Sequence, residues 1–321
     1  MSTVADGIAA ATTRLLLAGL SPDDARQSAT ILAGHALGWD RATLLARWRD
    51  ATPERFEQRF APLVARRARH EPVAYITGER EFYSRTFVVT PAVLIPRPET
   101  EFVVEEALDC LRAAHGARGA EPHAAATDHD ALRIRASTEQ GARSTKHDAG
   151  PVIIDIGTGS GCLAVTLALE WPAARVIATD VSEAALEVAR MNAARLGAAA
   201  IEFRHGPFFA GASVPADLVV SNPPYIAEGA RASLAPEVVE FEPAGALFSG
   251  DDGLTHVAEI LVQCTLHLRS AGHLVMEIGM GQADTIAELV GQTEGLELVN
   301  IRADLQGIPR VLVIRRTSES V

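Results

Sequence analysis

Residues 217–225 read Asp-Leu-Val-Val-Ser-Asn-Pro-Pro-Tyr, an apolar strand running into a stiff polar turn. The turn carries the parts needed to hold a planar NH2 group. Such a nitrogen, in an amide or an aromatic amine, is a poor nucleophile because its lone pair is delocalised. Two acceptors that fix both N–H bonds aim that lone pair at a methyl donor. Asn222 offers a side-chain amide oxygen, and Pro223 locks the turn so that its carbonyl supplies the second acceptor. Pro224 stiffens the next step, and Tyr225 offers a flat face for the planar group. Orientation of this kind is worth up to ~7–11 kcal/mol. Little acid–base help is needed, because the proton can leave after the new bond forms. Asn and Pro also favour ordinary turns, so the reading depends on what lies beside them.

A second stretch supplies that context. Pro151-Val-Ile-Ile-Asp-Ile-Gly-Thr-Gly-Ser-Gly161 predicts a buried parallel strand, a turn opened by Gly157, Gly159 and Gly161, and a helix from Cys162. Glycines let the backbone take positive φ and let a ligand approach, and the helix start presents unpaired N–H groups. The G-x-G-x-G spacing differs from the G-x-G-x-x-G of dinucleotide sites and disfavours a nicotinamide-dependent dehydrogenase. Val176-Ile-Ala-Thr-Asp180 predicts the next strand, ending in an acid 25 residues after Asp155 that can accept two ribose hydroxyls. Taken together, the loop, Asp180 and Asn222–Tyr225 are far more specific than any one alone.

The chain has 321 residues, 48% of them hydrophobic, enough for about two domains with real cores. No apolar run reaches 18 residues, and the first residues lack a basic start and apolar stretch, so a cytoplasmic protein without a membrane span is expected. Cys110, Cys162 and Cys264 are odd in number and far apart, which predicts buried small residues rather than a disulfide or a metal site. A net charge of −12 argues against a protein that mainly grips duplex nucleic acid.

These groups must be placed by the elements around them. Residues 4–70 carry helical periodicity only. Ser21-Pro-Asp-Asp is a helix start, and the following helix, about Asp23 to Leu37, places Ala25, Ala29, Ile31, Leu32 and Ala36 towards one side. A second start is expected at Thr52-Pro-Glu, with Phe56, Phe60, Leu63 and Val64 as an apolar stripe. Arg66, Arg67, Arg69 and His70 then suit the negative end of that helix, with contact to a polyanion as the alternative. Phe82 to Val89 suggests a hairpin, Ile95-Pro-Arg-Pro98 a stiff hinge or cofactor-pocket wall, and Thr100-Glu101 a helix start continuing to about Leu111. Residues 113–150 are poor in large apolar side chains and predict a flexible insertion, whose His115, His123, His129 and His147 match no metal spacing.

From residue 151 strands and helices alternate. Strands are expected at Val152–Ile156, Arg175–Asp180, Ile201–His205, Leu218–Asn222, His273–Ile278, Leu296–Ile301 and Val311–Arg315. Helices are expected near Cys162–Glu170, Ser182–Leu196, Gly253–Leu268 and Gln282–Leu289. The pattern is that of a doubly wound α/β sheet, mostly parallel, whose last two strands pair antiparallel at one edge. Ligands in such sheets sit beyond the carboxyl ends of the strands, where Gly157, Asp180 and Asn222 all fall.

With these residues in place, the chain resembles the S-adenosylmethionine-dependent methyltransferases that carry Asn-Pro-Pro-Tyr, and more narrowly the release-factor glutamine N5-methyltransferases (HemK-like). The resemblance rests on Gly78-Glu-Arg-Glu-Phe82, Leu94-Ile-Pro-Arg-Pro-Glu-Thr-Glu101, Asp155–Gly161, Asp180, Val220–Ile226, Phe241-Glu-Pro243 and Gly250-Asp-Asp-Gly253. It implies a Rossmann-like class I methyltransferase domain over 151–321. A helical bundle over 1–72 would dock a peptide chain release factor, with a hairpin linker over 73–112 between them. It further implies that Gly157, Thr158, Gly159, Ser160, Gly161, Asp180, Phe208 and Asn222 bind S-adenosyl-L-methionine. Asn222, Pro223, Pro224 and Tyr225 would hold the glutamine of a Gly-Gly-Gln tip, in a monomeric enzyme without a metal. Two departures stand out: Pro207-Phe208 replaces the usual Asp-Trp, and Ala244 replaces the usual Arg after Glu242-Pro243, leaving Glu242 without its expected partner. The competing reading, an adenine-N6 DNA or RNA methyltransferase, shares the turn but calls for basic surface and a target-reading segment.

Overall fold

A computed structural model describes residues 2–116 and 150–317. The expected insertion over 113–150 therefore lies outside the described residues, except for its two ends. Five helices open the chain: α1 (Val4–Leu17), α2 (Pro22–Leu37), α3 (Arg41–Arg47), α4 (Phe56–Arg67) and α5 (Val73–Thr77). Ser21 caps α2 as its sequence suggests, with Oγ accepting the Asp24 N–H at 3.2 Å. Leu15, Ala25, Ala29, Leu32, Phe56, Phe60 and Val64 form the bundle core. Ile31 departs from expectation: it is 44% exposed, because Ser28 and Ala33 take the inward positions instead. Helix α4 starts at Phe56, four residues after Thr52, behind Arg55 in a left-handed conformation at φ 66°. Of the basic residues that close this helix, Arg67 is buried and Arg69 exposed. Arg66 forks onto Glu71 at 2.8 and 2.5 Å, and buried Arg67 reaches Ser28 at 3.1 Å and Glu237 at 2.6 Å.

The hairpin comprises β1 (Glu79–Phe82) and β2 (Arg85–Val88) and so begins three residues before Phe82. Its turn residues Tyr83 and Ser84 both have positive φ, 49° and 57°, as a two-residue hairpin turn requires. No Gly or Asn advertises that turn in the sequence. The Glu101 carboxylate holds it by accepting the Tyr83 N–H at 2.8 Å. Helix α6 (Glu101–His115) runs past Leu111.

The main sheet combines β3 (Val152–Ile156), β4 (Arg175–Asp180), β5 (Glu202–His205), β6 (Ala216–Ser221), β7 (Leu268–Glu277), β8 (Leu296–Ala303) and β9 (Pro309–Arg316). Its helices are α7 (Cys162–Glu170), α8 (Glu183–Leu196), α9 (Pro236–Phe241), α10 (Thr255–His267) and α11 (Ala283–Gln292). The seven strands lie in the order β5-β4-β3-β6-β7-β9-β8. β5, β4, β3, β6 and β7 are parallel, and β9 runs antiparallel to both of its neighbours. The last strand thus enters between β7 and β8, leaving β8 at the edge.

Side-chain alternation along β3 builds the two layers. Ile153 faces a core shared with α6 and α7, while Val152, Ile154 and Ile156 face a core shared with α10 and α11. Each fully buried Ile contributes about 1.5–3 kcal/mol relative to an exposed one. The order of strands reverses between β3 and β6, which places a crevice at their carboxyl ends. Among the described residues no helix is long and apolar enough to cross a membrane.

Candidate active site

That crevice is a cavity of about 270 Å³, lined by residues from Gly157–Ser160, Asp180–Ser182, Gly206–Phe208, Ser221–Pro224 and the stretch before α6. The glycine loop forms its floor. Gly157, Gly159 and Gly161 take φ of 70°, 54° and 81°. Their reasons differ. A Cβ on Gly157 would meet nothing within 4 Å, so only conformation demands glycine there. A Cβ on Gly161 would lie 3.1 Å from that of Ala189, so packing against α8 demands it as well. Asn192, fully buried on α8, donates to Ser160 O at 2.8 Å and pairs with the N–H and carbonyl of Val88, fastening the loop to the hairpin.

Two carboxylates shape the loop. Asp155 Oδ2 accepts from Thr158 Oγ1 at 2.6 Å and Ala164 N–H at 3.1 Å, and burial pushes its pKa up to about 7. Asp180 Oδ2 accepts from Gly159 N–H and Oδ1 from Ser182 N–H, both at 2.9 Å. Each Asp180 oxygen retains a second acceptor position on the cavity wall. Asp155 Oδ1 is buried and without a partner among the described residues, and the buried Ser160 hydroxyl lies beside the Cys162 thiol.

The β6 strand delivers Asn222, Pro223 and Pro224 to the opposite wall. Asn222 Nδ2 donates to Thr100 Oγ1 at 3.0 Å, and Thr100 Oγ1 donates to Glu277 Oε2 at 2.6 Å. Asn222 Oδ1 is buried without a partner among the described residues. Such an orphan acceptor in a native site marks a place where a donor is missing. Tyr225 ends the turn and is partly buried. It is not among the residues lining the cavity; its hydroxyl donates to Glu277 Oε1 at 3.2 Å and its carbonyl accepts from Gln282 Nε2 at 2.9 Å. Burial raises the Tyr225 phenol well above its usual range, so it remains a donor. Phe208, half-buried at φ 48°, borders the cavity with His256, ring centroids 6.1 Å apart.

The structure also supplies the partner missing from sequence. Glu242 accepts from Arg97 Nη2 at 2.5 Å and from Ile95 N–H at 3.2 Å, so Arg97 of the Pro-Arg-Pro stretch occupies the role left open by Ala244. Pro96 and Thr100 line the cavity, which makes this stretch a wall and not only a hinge.

The crevice thus gathers Gly157, Thr158, Gly159, Ser160, Asp180, Phe208, Asn222, Pro223 and Pro224, with Gly161 just behind them. No local pattern marks Asn192 for the site, and Thr100 reads only as a helix start. Thr100 looks like a helix cap, yet it makes no cap bond. The one signal for Glu277 is an acid closing the apolar run Leu274-Val-Met-Glu277, and Glu277 is 2% exposed.

Two family models match the sequence: a PrmC N-terminal domain over residues 8–78 and a methyltransferase small domain over residues 142–250. A release factor glutamine methyltransferase of Cereibacter sphaeroides is 41% identical over 97% of this chain and 98% of its own. A protein of the same name from Bordetella pertussis is 40% identical over 89% of this chain and 93% of its own. Among solved structures, the hMettl16 catalytic domain in complex with MAT2A 3'UTR hairpin 1 matches with a TM-score of 0.52. It covers 81% of this chain and 82% of its own at 15% identity, a likeness of fold.

Proposed function

Since the chain belongs to the release factor glutamine methyltransferase family, we propose that it transfers a methyl group from S-adenosyl-L-methionine to the side-chain amide nitrogen of a release factor glutamine, in the Gly-Gly-Gln tip. The observation that carries this reading is Asn222 Oδ1, a buried acceptor without a partner beside the glycine-lined crevice.

The residues present fit the cofactor. Gly157 and Gly159 leave open space, Asp180 keeps acceptor positions for two hydroxyls and Phe208 offers a ring face. Bound there, the cofactor supplies an electrophilic methyl group on a sulfonium. The chain's own work is orientation. Asn222 Oδ1 and the Pro223 carbonyl accept the two N–H bonds of the substrate amide and turn its lone pair towards the donor. Pro224 keeps the turn stiff, and Tyr225, braced through Glu277, offers its flat face to the planar group. The extra proton leaves once the nitrogen carries its methyl group, so no strong base is required. The N-terminal helical bundle docks the body of the factor, and residues 73–112 link it to the methyltransferase domain.

An adenine-N6 methyltransferase would use the same turn, but the net charge of −12 offers little grip on a polyphosphate. Incubation with methyl-labelled cofactor and either a release factor or duplex DNA tests the assignment. Mass spectrometry should place the label on the glutamine amide of the factor. Label on DNA and none on the factor would overturn it.

A further inference from the structure

Asn222 can serve as an acceptor in one orientation only, and something must choose that orientation. An Asn side chain turned over by half a rotation fills the same space with oxygen and nitrogen exchanged. In that orientation an NH2 would face the substrate's own NH2, and methyl transfer would lack its aim.

We propose that Thr100 and Glu277 are positioning residues that select the productive orientation of Asn222, the Thr100 hydroxyl acting as a one-proton relay. The proposal rests on the reading of Asn222 as the substrate-amide acceptor. Thr100 is 1% exposed and Glu277 is 2% exposed, so solvent supplies neither with partners. Above about pH 7 Glu277 is ionised and only accepts, so the single Thr100 proton points at Glu277 Oε2, 2.6 Å away. The Thr100 oxygen is then left with lone pairs alone for Asn222, 3.0 Å away. Only the Nδ2 side of Asn222 can meet a lone pair, and Oδ1 is thereby turned to where it has no partner among the described residues. The reversed amide would set two oxygens face to face at that distance with no proton between them.

The far side of Glu277 is held as well. Its Oε1 accepts from the Tyr225 hydroxyl at 3.2 Å. Tyr225 is itself tied by Gln282, whose Oε1 accepts the Gly279 N–H at 2.9 Å. The relay therefore spans three separated parts of the chain: the start of α6, the end of β7 and the Asn-Pro-Pro-Tyr turn. Thr100 makes no capping bond in its own helix, which leaves the relay as the use of its hydroxyl.

The test compares Thr100→Val, which keeps the shape and removes the hydroxyl, with Thr100→Ser, which restores it. Glu277→Gln provides a third chain in case Thr100→Val does not fold. Thr100 borders the cavity and Val keeps its shape, so binding of S-adenosylhomocysteine by calorimetry should change far less than kcat in every folded variant. With release factor as substrate, Thr100→Val should lower kcat about tenfold or more with KM little changed, the scale of one orphaned buried partner. Thr100→Ser should recover kcat to within about threefold of wild type. Glu277→Gln, whose amide can present either end to Thr100, should fall between them. Substrate-free NMR gives an independent readout. The Asn222 side-chain amide, identified by its loss in Asn222→Asp, should exchange slowly in wild type and Thr100→Ser, and fast in Thr100→Val or, if that chain is unfolded, measurably faster in Glu277→Gln. Unchanged Asn222 exchange and unchanged kcat in Thr100→Val, or a Thr100→Ser chain as impaired as Thr100→Val, would overturn the relay. A wild-type chain that modifies no release factor yet shows the slow Asn222 amide would instead count against the functional reading alone.

Discussion

Arg97 and Glu242 stand 145 residues apart in the chain and meet at 2.5 Å, joining the stretch before α6 to the loop after α9. Glu242 is almost fully buried and also accepts the Ile95 N–H, whereas the Arg97 side chain stays 32% exposed. Breaking a buried pair costs about 3–5 kcal/mol, and partial exposure of Arg97 places this one lower. Arg97→Ala should therefore cost about 2–3 kcal/mol in denaturant unfolding. Ala244→Arg, at an exposed position whose supposed ion-pair role is already filled, should stay within about 0.5 kcal/mol of wild type. A large gain from Ala244→Arg would show that Glu242 lacks a full partner.

The glycines of the loop should separate by experiment. Gly161→Ala forces a Cβ into contact with Ala189 at a left-handed φ of 81°, so a loss of about 3 kcal/mol in stability is expected. Gly157→Ala meets no atom and should cost only about 1–2 kcal/mol of strain, while intruding on the crevice. Melting and cofactor calorimetry on both variants check this. Gly157 should mainly weaken binding, and Gly161 should mainly weaken folding; the reverse order would refute the assignment.

Glu277 predicts a pH signature. Burial pushes its pKa up to about 7, with Glu99 adding to the rise and bonds from Thr100 and Tyr225 and the charge of Arg310 opposing it. A carboxyl that binds its proton more tightly when folded stabilises the fold at low pH. That contribution fades as pH rises from the ordinary carboxylate range through about 7. Asp155 is shifted the same way, but it is present in both chains of a comparison with Glu277→Gln and cancels. The wild-type melting temperature should fall relative to Glu277→Gln between about pH 5 and pH 8. A gap that does not change with pH would contradict a buried, titrating Glu277.

The fold was legible where periodicity is strong. β3, β4 and α7 begin and end where the apolar runs and glycines say, because a fully buried parallel strand leaves an unbroken signature. The site was legible where one short segment carries the chemistry, as in Gly157–Gly161 and Asn222–Pro224. It was not legible where the chemistry is a meeting of distant groups. Thr100 and Glu277 lie 177 residues apart, and local sequence reads the first as a cap and the second as a strand end. The place of β9 between β7 and β8 depends on pairing that no local pattern encodes. Ile31 misled because period alone cannot say which of two small-residue faces the neighbouring helix will cover.

The central claim is that Asn222 orients the substrate amide and does nothing essential for the cofactor or the fold. Its most direct test is Asn222→Ala, measured side by side for S-adenosylhomocysteine affinity, melting temperature and methyl transfer to the release factor glutamine. Affinity and melting should stay close to wild type and transfer should fall at least about a hundredfold. Transfer at the wild-type rate would contradict it.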